Sequence, residues 1–193
     1  MTEQPTPEEE NVLGAMTDAI NHGGIPVVMI PYAGPAPEGE FYLSLMRDML
    51  NTSGAATGCI TFGTTDGTSG MCPLVDLDPQ EGLSLMLVMR QSGMLGPVAW
   101  VALASDSYRR MFEPGEVDID KIQRGDIEQM AKVGDAKVEE VLMVACCEPD
   151  GPGYNLAQPY RRTEAGIEYA EVETMPADAG GGVMTLMQEL VTA

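Results

Sequence analysis

Only ten basic residues occur in this chain of 193, and four of them stand in two pairs, each behind a tyrosine: Tyr108-Arg109-Arg110 and Tyr160-Arg161-Arg162. Arginine offers a planar, permanently charged set of donors that grips a carboxylate or phosphate with two parallel hydrogen bonds. Both triplets lie at the ends of apolar runs that read as strands. If those strand ends meet, Tyr108, Arg109, Tyr160 and Arg161 form a basic, aromatic ligand-binding patch on an otherwise acidic protein. The competing reading is ion pairing with neighbouring carboxylates such as Asp106, Glu113 and Glu164.

Other segments carry weaker chemistry. Gly63 to Gly70 has the glycine content of an anion-cradling loop. It lacks the lysine of a phosphate loop, and Cys72-Pro73 leads back into a strand, so a hairpin loop accounts for it. His22 is the one histidine, beside Gly23-Gly24 at a helix C-terminus, where the helix dipole favours a protonated ring. Cys59, Cys72, Cys146 and Cys147 show no CxxC spacing, and with a single histidine a zinc site is not expected. Cys146 and Cys147 are strand neighbours and should face opposite ways. Asp76 and Asp78 are spaced for a divalent ion, but Asp78 is better used as a helix cap. No catalytic residue, cofactor or metal is therefore expected. Fifteen methionines suit either core filling or an adaptable binding face.

Thirty acidic residues against ten basic ones give a formal charge of −20. Such a chain repels phosphate backbones, which argues against direct binding of nucleic acid or an anionic membrane surface and favours a protein partner. No apolar run approaches the roughly 20 residues of a membrane helix. The acidic N-terminus is unlike a secretory signal, so a cytoplasmic address is expected. Hydrophobic residues make up 44%, enough for a packed core, and the length suits one domain over 1–193, with a possible N-terminal lobe at 1–95 and a C-terminal meander lobe at 96–193.

The elements that must position these residues follow from periodicity. Helices are expected from Thr6 to about His22, over 39–52, from Asp78 to about Gln91, over a short stretch at 126–133, and at the C-terminus. Strands are expected over 25–32, 59–62, 71–77, 97–105, 138–147, 154–162 and 167–172, the last three joined by short turns into an antiparallel meander. The fold class is α+β: a mostly antiparallel sheet of about five or six strands, with helices packed mainly on one face. The last helix places Met184, Met187, Leu186 and Leu190 on one apolar face, which either joins the chain's own core or forms an interface with a second subunit.

The run Trp100 to Tyr108, followed by Val138 to Asp150 and a meander strand, resembles a layout found in small acidic hypothetical proteins of actinobacteria and their phages. The resemblance spans residues 97–173 and implies a bacterial or phage setting; it carries no residue roles. The function expected from the sequence is that of a non-enzymatic accessory protein that binds another protein as a small homo-oligomer. The alternatives are a sensor or enzyme for an anionic small molecule at the Tyr/Arg patch, and an acidic mimic of nucleic acid.

Overall fold

The computed structural model describes residues 27–30, 34–75, 77–110, 126–176, 179 and 181–192. His22, the helix expected from Thr6, Asp76 and Glu113 lie outside the described residues. Among the described residues, eight strands form one antiparallel sheet: β1 (Val28–Ile30), β2 (Cys59–Thr64), β3 (Ser69–Pro73), β4 (Val98–Arg110), β5 (Val138–Glu148), β6 (Gly151–Thr163), β7 (Gly166–Tyr169) and β8 (Glu173–Thr174). Their spatial order is β1-β3-β2-β4-β5-β6-β7, with β8 also on β6. The helices of the described residues are α1 (Gly39–Ser53), α2 (Pro79–Gln91), α3 (Asp126–Lys132) and α4 (Gly182–Thr192). The α+β class read from the sequence is the one observed; the short strand β8, paired with β6, was not expected from the sequence. Pairing of β2 with β4 joins residues before and after position 95 in the same sheet.

Opposed residues in an antiparallel pair point to the same face, so the register assigns every side chain to one of two layers. On the first face α1 presents Tyr42, Leu43, Met46 and Leu50 at helical spacing to Trp100, Ala102, Ala104, Leu142, Val144, Cys146 and Tyr160. On the second face α2 and α4 bring Leu83, Met86, Met187 and Leu190 onto Ile60, Phe62, Val101, Leu103 and Cys147. The helices are thus shared between the faces, two against one, while α3 packs beside β4 and β5. This two-sided cover explains why β4 is continuously apolar from Val98 to Ala104. The adjacent thiols of Cys146 and Cys147 enter opposite cores, as strand alternation requires.

Local chemistry accounts for the helix ends. Asp78 accepts from the Glu81 backbone amide at 2.9 Å while the Glu81 carboxylate accepts from the Asp78 amide at 3.2 Å, a complete capping box with Pro79 at the first helical position. At Gly63 the chain needs the missing side chain for a different reason. A Cβ there would lie 2.3 Å from the Trp100 indole nitrogen, so the glycine makes room for the one tryptophan to lie across β2.

Candidate functional site

The pairing of β5 with β6 ends at Glu140 opposite Tyr160. On either side the ladders continue, β4–β5 as far as Arg110 opposite Val138 and β6–β7 as far as Thr163 opposite Gly166. The β4–β5 and β6–β7 strand pairs therefore part here, and an open cleft of about 610 Å³ lies between them. Its walls carry Glu139, Glu140, Tyr160, Arg161, Arg162, Glu168 and Tyr169.

A one-residue irregularity sets this arrangement. Cys147 is opposite Pro152 but Cys146 is opposite Tyr154, so Gly153 is an extra residue in β6. Without that bulge the rest of β6 would shift by one, and each of its side chains would change faces. With it, Tyr108, Glu140, Tyr160 and Tyr169 form one row across four strands, on the face that α1 covers.

A hydrogen-bonded network ties this row to α1. The Tyr160 hydroxyl is 2.8 Å from Asp106 Oδ1 and 3.3 Å from Glu140 Oε1, and donates its one proton to the nearer carboxylate. Arg162 donates through Nε to Glu140 at 3.0 Å, through Nη2 to the Tyr160 oxygen at 3.2 Å, and through Nη1 to the Gly54 carbonyl at 2.7 Å. Gly54 is the left-handed C-cap of α1, whose last turn has no basic residue of its own, so Arg162 supplies the positive charge that the helix C-terminus favours. The guanidinium also lies 5.6 Å from the centre of the Tyr160 ring, and Tyr160 and Tyr169 are 6.1 Å apart.

Burial, reinforced by the hydrogen bond to Asp106, pushes the Tyr160 phenol far above its usual range. Burial also raises Asp106, with the Glu140 charge adding to the effect and the Tyr160 bond opposing it. The hydrogen bond to Glu140 is the largest effect holding the Arg162 proton. At neutral pH the network thus consists of a neutral phenol and a guanidinium between two carboxylates. A carboxyl group whose folded pKa is raised contributes stability below its ordinary value and loses that contribution as the pH rises through the folded one. Ionised Asp106 therefore opposes folding at neutral pH. Asp106→Asn, which keeps an acceptor for Tyr160, is expected to stabilise the protein at neutral pH. Urea unfolding checks this, and the advantage should vanish as the pH falls toward 3.8, the ordinary value for aspartate.

The four predicted ligand residues do not form one patch. Strand alternation divides them: Tyr108 and Tyr160 lie on the α1 face, and Arg109 and Arg161 on the other. Tyr160 and Arg161 line the cleft, whereas Tyr108 and Arg109 do not. Arg109 instead donates to Glu139 at 3.0 Å and grips Glu173 with two bonds of 2.6 and 2.9 Å, which fastens β8 to the sheet. Arg110 pairs with Asp135 at 2.9 Å. Arg161 binds Glu168 through Nε at 2.8 Å and through Nη2, yet its side chain remains 76% exposed. Ion pairing, the competing reading, thus engages all four arginines, though with Glu139, Glu140, Asp135, Glu168 and Glu173 as partners. Asp106 reaches the cluster through Tyr160.

The other candidates have structural employment. In the hairpin loop between β2 and β3, the Thr65, Gly67 and Thr68 amides donate to Pro97, Thr64 and the Asp66 carboxylate, which leaves no cradle for an anion. The Thr64 and Thr68 hydroxyls bind Asp66 as well and hold its carboxyl below the usual aspartate range. All four thiols are buried and free, and burial raises their pKa: Cys59 and Cys147 to about 11, Cys146 to about 12, and Cys72 in the same direction. Nucleophilic thiol chemistry needs the opposite shift. Met184, Met187 and Leu190 are buried in the chain's own core and Leu186 is partly buried against it, so they present no apolar face to a second subunit.

From the sequence, Glu139-Glu140 reads only as one of the acidic pairs that chance supplies in so acidic a chain, and Glu168 and Tyr169 were overlooked. The signal that could have found them is Pro152-Gly153 inside a strand, which marks a bulge and so sets the register opposite Tyr160. Among the described residues, no helix is long and apolar enough to cross a membrane. Compared with family models, curated proteins and solved structures, the chain matches none.

Proposed function

We propose that this protein acts by binding another protein, and that the cleft between the β4–β5 and β6–β7 strand pairs is the contact surface. The observation that carries the reading is the lining of that open cleft: two tyrosines and two arginines interleaved with three glutamates. Tyrosine and arginine are the residues most often dominant at protein interfaces, because each combines a large apolar surface with a polar tip. The charge of −20 favours a partner that is basic overall and steers it in, while Arg161 and Arg162 give the contact a local register. An accessory factor in a bacterial or phage cytoplasm is part of the same proposal, supported by the layout of residues 97–173.

The test is capture from lysate with tagged wild type, Arg161→Glu and, as a control on the outer side of α2, Val88→Asp. A partner retained by wild type and the control, but lost in Arg161→Glu and at high salt, is the expected result. Identical capture by all three proteins would remove the cleft from consideration. Arg161 also has the exposure and donor geometry to bind a carboxylate or phosphate compound. Thermal stabilisation by such a compound, abolished in Arg161→Glu, would replace the protein partner with a small molecule.

A further inference from the structure

A second cavity lies on the opposite face, beneath the first turns of α2 and α4, and is independent of the cleft. It measures about 190 Å³ and is partly enclosed by Leu103, Met143, Ala145 and Met184. Ser105, Ser107 and Asn155 also line it. The cavity is therefore an apolar chamber with a few polar side chains in its wall, the general form of a small-molecule site.

Ser105 and Asn155 are buried, Ser107 is half-buried, and all three are only partly engaged. Ser105 is 8% exposed and Asn155 4%. The two serine hydroxyls are 3.3 Å apart, a long contact for oxygen donors and acceptors. The Asn155 amide nitrogen donates to the carbonyls of Pro176 at 2.9 Å and Ala179 at 3.2 Å. Two carbonyl partners settle which atom of the amide is nitrogen, since the reverse assignment would set oxygen against oxygen. The Asn155 Oδ1 then accepts no bond from the described residues. That oxygen keeps an accessible surface within the cavity, where it is open to a hydroxyl donor.

We propose that this cavity binds a small apolar molecule bearing one hydroxyl group, a phenol or a short alcohol, whose O–H donates to Asn155 while the Ser105 hydroxyl donates to its oxygen. The size is suitable, because an apolar protein cavity of about 150 Å³ accommodates benzene. The ring or chain would lie against Leu103, Met143 and Met184. The site needs no charge on the ligand, which distinguishes it from the cleft.

Phenol is the first probe, with benzene as its counterpart without the hydroxyl. Titration into the full chain is followed by methionine-methyl NMR, with the Met143 and Met184 signals assigned from Met→Leu variants. Saturable shifts confined to those two methyls, with a Kd on the order of 1 mM for phenol and several-fold weaker binding of benzene, are expected. Ala145→Leu, which fills the chamber, should abolish the shifts. Val183→Phe, at the partly buried rim, is a milder variant that keeps the test valid if the first does not fold. Equal affinity for benzene and phenol would overturn the polar recognition. Shifts that persist in a folded filling variant, or no saturable shift in wild type, would overturn the site.

Discussion

Raising the pH from 9 to 11 is expected to unfold this protein. The thiols of Cys59, Cys146 and Cys147 lie in the two cores, where a thiolate would be stripped of water, and burial moves them from an ordinary value of 9.0 to about 11, 12 and 11. A group whose pKa is raised on folding contributes its full stability below the unfolded value and loses it as the pH climbs through the folded one. The contribution is therefore intact below pH 9 and is lost between there and pH 12. One pH unit of separation is worth about 1.4 kcal/mol per group, so by pH 11 the three thiols together have withdrawn roughly 7 kcal/mol. That is comparable with the whole stability of a typical domain, about 5 to 15 kcal/mol. The buried phenols of Tyr154 and Tyr160 act in the same sense. Far-ultraviolet circular dichroism and thiolate absorbance, recorded together against pH, should show both transitions at once. Cys146→Ala should move the midpoint upward, because one ionising group is gone. Thiols that titrate near pH 9 while the fold persists would contradict this account of the cores.

The second large effect concerns α4. Leu190→Asp is expected to prevent folding, whereas Leu186→Asp should be tolerated with a loss of about 1 kcal/mol. Leu190 is 0% exposed and packs in the core that α4 shares with α2 and the sheet. Its replacement removes a buried leucine, worth about 2 to 5 kcal/mol, and forces either a carboxylate into an apolar site or α4 away from the sheet. Leu186 is only partly buried. Urea unfolding of the soluble fractions separates the two variants. A Leu190→Asp protein that stays folded and changes only its oligomeric state would mean that α4 serves an interface after all.

This contrast shows how far the sequence could be read. The periodicity of Val183 to Val191 identifies an amphipathic helix, since side chains three and four apart share a face whatever lies beneath. It does not say whether that face meets the chain's own sheet or another chain's, because both present the same apolar surface. The answer depends on α2, whose Leu83 and Met86 arrive from a hundred residues earlier in the chain to share the layer. The run at Val98 to Ala104 likewise announces a strand covered on both sides, and the acid-capped start at Asp78 and Pro79 announces a helix, because these signals are local.

The Tyr/Arg hypothesis failed as one patch for a reason already present in strand geometry. Neighbours along a strand point to opposite faces, so Tyr108 and Arg109 can share a surface only if the strand has ended, and β4 runs on to Arg110. Which residues replace them in the cleft is a different matter. The partners of Tyr160 depend on the bulge at Gly153, on where the β5–β6 ladder stops, and on α1 bringing the Gly54 carbonyl to Arg162 across a separation of 108 residues.

By itself, then, the amino-acid sequence determined the helices and most strands of the described residues, though not β8 or the reach of β4 to Arg110, together with the α+β class and the sign of the electrostatic field, all of which follow from local periodicity and composition. The tertiary structure alone decided that Tyr160, Glu140, Arg162 and Asp106 form one network, that Arg109 fastens β8, and that Asn155 and Ser105 share a chamber. Strand register and the parting of strand pairs are collective properties of several elements, and a one-residue change in either moves a side chain to the other face of the sheet.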